Sequence, residues 1–426
     1  MDRKTLFTLL LFSLLATGLV QVSGASIATW QQTYTVGYAT AVVQTSDDGY
    51  GLCGSANGNF SLVKVDSLGE VEWSNIYDVK GTLGATDLVQ TTDGGFALAG
   101  GGQDFLLVKT DANGNIEWSR SYGGAEEQTA RALVQTEDGG YALAGLSITR
   151  LGPVGSGAGV SLDFWLVKTD SEGNMLWSQT YDSGDKDYAY DLVQTSDGGY
   201  AIAGSGLGLV KTDSKGNMEW NVVYGVPQVN TYIAPPDYPR ALIQTNDGGY
   251  VILGGSYWLV KTDALGGKVW KKTFEGKLAR SLVEVSDGYV FCGEYYPEVW
   301  EPTFRIIKTD FSGNEIWQRD FGGKGFCVIQ TSDDGLAAAG AHTSSKSYLL
   351  KIDETGLILA QETATPSPSP TTAPIEQALY VVSTVVTLFF FALLAVFLIK
   401  YSKRKESNGS KTTPATDAYP NLLNKR

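Results

Sequence analysis

The chain writes one short sentence seven times: Gln-Thr-x-Asp-Gly-Gly-Tyr, then Lys-Thr-Asp-x-x-Gly-Asn-x-x-Trp. The first half begins at Gln44, Gln90, Gln135, Gln194, Gln244, Glu284 and Gln330, and the second at Lys64, Lys109, Lys168, Lys211, Lys261, Lys308 and Lys351. Successive first halves are 46, 45, 59, 50, 40 and 46 residues apart. Self-similarity at such a period means that each copy is one supersecondary unit, which buries its apolar faces only by stacking on its neighbours.

The third copy shows how a unit reads. Residues 130–136 predict a first strand, and Glu137-Asp-Gly-Gly140 a tight turn in which glycine supplies positive φ. Residues 141–145 are the second strand, 164–168 an almost wholly apolar third, and 175–181 the fourth after a second glycine turn. Four antiparallel strands with two short hairpins make a propeller blade. Fourth-strand tryptophans recur at Trp73, Trp118, Trp177, Trp220, Trp270 and Trp317, while the seventh unit has Ala360 there. An unassigned match, Trp30-Gln-Gln-Thr-Tyr34 against Trp177-Ser-Gln-Thr-Tyr181, stands before the first unit. The expected fold is therefore an all-β, seven-bladed β-propeller closed by an N-terminal strand, with closure removing an open sheet edge.

This arrangement resembles the quinoprotein-like propeller superfamily, in which a third strand, a glycine turn and a fourth-strand tryptophan recur once per blade. It is similar, too, to uncharacterised surface proteins of archaea and bacteria that carry Gln-Thr-x-Asp-Gly-Gly-Tyr repeats. The resemblance spans residues 30–361 and implies fold, not activity, since propellers host unrelated functions. Quinone-binding members are eight-bladed and use neighbouring cysteines; this chain lacks both features, so no cofactor is expected.

Outside the repeats, residues 1–24 read as a signal peptide: Arg3 and Lys4, an apolar run, then small residues. Residues 26–362 form the propeller and 363–378 a Pro/Ser/Thr-rich stalk in which alternating proline denies helix and sheet. Residues 379–399 carry no charge and are long enough for one C-terminal transmembrane helix. Lys400, Lys403, Arg404 and Lys405 follow, which places the short tail 400–426 in the cytoplasm and the propeller outside. The expected location is the cell membrane, as a single-pass protein. A formal net charge of −14 argues against a nucleic-acid partner.

Catalytic motifs are scarce. With His342 the only histidine, neither a Ser-His-Asp set nor a histidine-rich metal site is expected. Asp111-Ala-Asn-Gly-Asn115 has the start of a calcium loop, but no distal glutamate or flanking helices, and its recurrence at every hairpin favours turn geometry. Asp182, Asp185 and Asp187 lie in a connection and are expected to be solvated. Cys53, Cys292 and Cys327 are expected as small buried residues standing where sister units have alanine, with a Cys292–Cys327 bridge the alternative.

Binding is expected where the repeat is interrupted. The first–second and third–fourth hairpins are short and share one face, so the longer connections share the other. They include 146–163, 224–239 with Tyr232 and Tyr238, and 294–303 with Tyr295, Tyr296 and Trp300, exposed aromatics suited to a sugar or a peptide. Just before the innermost-strand motif stand Thr40, Thr86, Arg131, Tyr190, Arg240, Arg280 and Phe326. Innermost strands line the central channel, so Arg131, Arg240 and Arg280 are expected near its mouth, either beside a carboxylate or sulfate ligand or paired with local acids such as Asp87 and Asp191. The functional expectation is a non-enzymatic, surface-anchored module recognising glycan, peptide or an envelope protein through the long-loop face. The alternatives are an extracellular carbohydrate-active enzyme with a carboxylate pair and a purely structural envelope protein.

Overall fold

The computed structural model describes residues 29–358 apart from 35–36, 80–81, 125–126, 153–158, 185, 225–236, 298–301 and 344–345. The signal peptide, stalk, membrane helix and tail expected from the sequence lie outside the described residues, as does Trp300. The first compact unit of the chain, Met1–Gln361, holds all of them. They form strands and turns, and no helix among them is long and apolar enough to cross a membrane.

The third repeat contains the antiparallel strands Gln128–Gln135, Tyr141–Arg150, Val160–Thr169 and Met175–Tyr181, paired in chain order. The same order recurs in every repeat, and the second and third sets merge into one sheet through a single pairing, Thr129 with Gly101. The connection 146–163 is not the long loop expected. Its strands run on to a pairing of Arg150 with Val160. Leu-Ser-Ile-Thr and Val-Ser-Leu-Asp have the alternation and β-branching that sustain a ladder. Trp30–Tyr34 pairs antiparallel with Lys346–Ile352 and so completes the last sheet from the N-terminal side.

First strands line the inside of a ring. Tyr38–Gln44 packs against Thr82–Gln90, and so on through Gln128–Gln135, Tyr188–Gln194, Pro239–Gln244, Leu278–Val285 and Lys324–Gln330, which returns to Tyr38–Gln44. Between adjacent sheets the second and third strands are apolar on both faces. Phe164 and Leu166 meet Leu192, Tyr200 and Ile202 of the next sheet, while Leu143 and Val167 meet Ala97, Ala99 and Leu107 of the previous one. Burial of these side chains at about 25 cal/mol per Å2 drives the stacking.

Each repeated residue has one repeated contact. Trp177 lies edge-on to Tyr200 of the next sheet, with centroids 5.8 Å apart, and covers Gly216, where a Cβ would sit 2.6 Å from its ring. Gly216 also has φ +79°, so glycine is required there twice over. Tyr181 donates its hydroxyl to the Gly216 carbonyl at 2.7 Å. Trp30 and Tyr34 treat Tyr50 and Gly69 of the first sheet in the same way. Gln135 accepts the Thr92 N–H of the previous sheet at 3.0 Å, and Gln44 accepts the Ser332 N–H at 2.7 Å, the equivalent step across the closure.

Within a sheet, the buried Lys168 ammonium donates to both Asp138 oxygens at 2.9–3.0 Å and to the Thr169 carbonyl at 2.7 Å. Although partial burial opposes it, the Thr136 hydroxyl, Lys168 and the Gly140 N–H hold the Asp138 carboxyl at about 2. Lys64, Lys109, Lys211, Lys261, Lys308 and Lys351 make the matching pair with Asp47, Asp93, Asp197, Asp247, Asp287 and Asp333. In the second turn Asp170 accepts the Glu172 and Asn174 N–H groups, leaving that carboxylate engaged in the turn itself. The three cysteines are free thiols, and Cys292 and Cys327 are not bridged.

Candidate functional site

Every first strand carries a β-bulge, and the extra residue is one of the seven singled out in the sequence. The register breaks between Ala39 and Ala41, Ala85 and Asp87, Ala130 and Ala132, and Ala189 and Asp191, and then at Arg240, Arg280 and Phe326 in the same way. A bulge leaves one residue unpaired and re-aims its side chain. The bulged residue is the second to fifth of each first strand, close to the face that carries the long connections. In the first two units the bulged threonine bridges onward: Thr40 donates to the Ala85 carbonyl at 2.8 Å, and Thr86 to that of Ala130 at 2.9 Å.

Arg240 is clasped by tyrosines. Its guanidinium lies 4.3 Å from the Tyr190 ring centre and 4.9 Å from that of Tyr238, while one terminal nitrogen donates to the Tyr238 hydroxyl at 3.0 Å. The two rings are stacked, 5.0 Å apart and 5° from parallel. Burial, together with the charges of Arg280 and Arg131, lowers the proton affinity of Arg240, partly offset by Tyr190 and Tyr238.

Arg280 takes a different partner. It donates to Glu294 at 2.9 Å and lies over Phe326 at 5.0 Å. Glu294 is buried, and its other oxygen accepts the Tyr296 hydroxyl at 2.7 Å. Tyr296 in turn carries Lys277 over its ring at 4.7 Å. Arg131 is exposed, and no acid pairs with it among the described residues.

The expected pairing of these arginines with Asp87 and Asp191 does not occur. Both carboxylates are consumed between neighbouring first strands: Asp87 accepts the Leu88 and Leu133 N–H groups, and Asp191 those of Leu192 and Leu242. Protein crowding pushes the Asp87 carboxyl up to about 6 and that of Asp191 up to about 7, against the pull of those N–H groups.

Tyr295 and Tyr296 are half-buried rather than freely exposed, and each packs on a cation rather than on the other ring. Tyr295 faces Arg305 at 3.4 Å and donates to Glu275 at 3.1 Å. Arg305, 3 % exposed, forms a two-pronged pair with Asp320, both contacts 2.7 Å. Sequence reading missed the roles of Arg305, Glu294 and Tyr238. A signal existed for Arg305, whose charge interrupts a third strand that is apolar in most sister units.

A second cluster lies in the third and fourth repeats. Oxygens of Asp163, Asp182 and Asp187 fall within 4.8 Å of one another. Asp187 is fully buried, not solvated as expected, because Ser183 donates to both its oxygens while its own N–H reaches the Leu162 carbonyl. Burial foremost, then the neighbouring acids, raises the Asp187 carboxyl above the ordinary range. With both oxygens occupied and no exposure, it is poorly placed as a nucleophile.

No family model and no curated protein sequence matches the chain. Among solved structures, the WD40 β-propeller domain of Doa1 aligns with a TM-score of 0.55 at 11% identity, covering 76% of this chain and 96% of that one. BamB from Moraxella catarrhalis aligns at 0.43 and 11%, covering 74% and 83%. A protein of unknown function from Bacteroides caccae aligns at 0.44 and 11%, covering 64% and 93%. The Doa1 likeness bears on the fold alone: the chain is a β-propeller repeat protein.

Proposed function

We propose that this protein is a seven-bladed β-propeller, anchored at the cell surface by its C-terminal segment, that binds a protein partner through its long-loop face. The blade count is supported by strands in sets of four and by first strands that contact one another cyclically. Export and anchoring rest on the charge and hydropathy of residues 1–24 and 379–426.

One observation carries the binding reading. The chain from Arg280 through Glu294 to Tyr296 ties the connection after Tyr295 to the axial mouth, so loop and channel present one preorganised surface. The solvent-reached acids beside it, Glu275 and Asp320, are both held by Arg305, which weighs against the glycosidase alternative.

Binding of the purified protein to an array of glycans and to a display library of envelope-protein segments tests the reading. A protein ligand is expected, weakened about tenfold or more by Tyr296→Ala, a loss on the scale of 1.4 kcal/mol. Polysaccharide hydrolysis abolished by a single carboxylate change on this face would overturn it. Protease digestion of intact cells tests the anchoring, which predicts cleavage of the propeller from outside.

A further inference from the structure

We propose that the axial mouth is an oxyanion site for the carboxylates of a short acidic peptide segment, with Arg131, Arg240 and Arg280 as its cations. The proposal rests on the partner-binding reading only for the source of that segment.

Three bulges at one register put three guanidiniums at the same end of the inner strands, Arg240 and Arg280 on neighbouring first strands and Arg131 two strands away, and Arg131 and Arg280 both act on Arg240. One acid answers them. Glu294 pairs with Arg280, while Asp87 and Asp191 spend their oxygens on backbone N–H groups. Among the described residues, three cations against one carboxylate leave two positive charges without an anion, in a protein whose formal charge is −14.

The Nε atoms of Arg240 and Arg280 are buried without a partner among the described residues. Both Nε atoms are covered by protein, so what a ligand can meet is the solvent-reached remainder of these two half-buried guanidiniums together with the exposed Arg131. The acceptor class follows from what surrounds them. Tyr190 and Tyr238 stack on each other and on Arg240, and Tyr296 is covered by Lys277, so these rings are already engaged instead of lying open to a sugar. What is left open is charge and N–H donors, which suit a compact oxyanion.

The test titrates fluorescein-labelled octaglutamate into the full-length chain in a non-ionic detergent at pH 7 and reads anisotropy. Binding is expected at low salt, weakened by added salt and displaced by inorganic sulfate. Arg131→Glu is expected to weaken it more than tenfold without lowering Tm, because Arg131 is exposed and no acid pairs with it among the described residues. Equal binding by Arg131→Glu, or none by the unaltered protein, overturns the site. Binding of sulfated dextran through Arg131 without binding of octaglutamate overturns the peptide assignment. The two readings also separate. Octaglutamate failing while a protein partner still binds sinks this site alone; partner binding absent while octaglutamate still needs Arg131 sinks the partner reading alone.

Discussion

Asp191 sits between two first strands with a raised carboxyl, about 7, and Asp87 is its counterpart at about 6. An ordinary carboxyl in the unfolded chain releases its proton near 3.8, so between that value and 7 the folded protein holds more protons than the unfolded one. The contribution of these two groups is therefore most favourable below 3.8 and is lost as pH rises through 6 to 7. The Asp138 type behaves in the opposite sense: its stabilisation is present above 3.8 and fades only as pH falls through about 2. Of these two types only the first titrates across pH 5 to 8. Calorimetry over that range should show Tm falling with pH, and Asp191→Ala should flatten the slope; an unchanged slope would refute this account. Tyr257 offers a second test. It is fully buried at φ +58°, and its hydroxyl has no partner among the described residues. Tyr257→Phe should leave stability unchanged or raise it by up to about 1 kcal/mol in urea unfolding. A clear loss would reveal a hidden partner.

Strands and turns were legible because each repeated residue makes one repeated contact. Trp177 over Gly216 is such a pair, and a double-mutant cycle should resolve it. Gly216→Ala should cost roughly 2–3 kcal/mol, combining strain at positive φ with the clash against the indole. In a Trp177→Ala background only the strain, about 1 kcal/mol, should remain. Additive costs would mean that the ring and the glycine do not meet. The axial site was half legible. The seven bulged positions stood out by alignment of the repeats, yet alternation alone does not reveal a bulge, since an extra residue resets the period. Glu294 stands near the end of the strand Gly288–Tyr295, where no sister unit has an acid, and Tyr238 comes from a connection that no sister unit shares, so nothing in the pattern predicted their partners. The extended hairpin to Arg150 and Val160 was hidden for a related reason: a neighbouring glycine-rich stretch masked its β-branched flanks.

At the scale of the whole molecule, Trp30–Tyr34 and Lys346–Ile352 hold the ring shut. A chain lacking residues 29–34 should keep most of its β content but expose the edge of Lys346–Ile352 and bare the Tyr50 and Gly69 site. It is expected to melt at lower temperature and to associate, which size-exclusion chromatography reads directly. A monomer of unchanged Tm would show that the last sheet stands on three strands.

That pairing also sets a clock. The strand made first waits for one made more than 300 residues later. At about 5–20 residues per second, Trp30 spends roughly 15–60 s without its ladder partner during synthesis. Tight pairing cannot begin at the ribosome's first opportunity, so the ring must assemble as an open arc that stays soluble until its two ends meet. The lysine–aspartate pairs and polar turns, complete within each blade, are suited to keeping that arc in register while it waits.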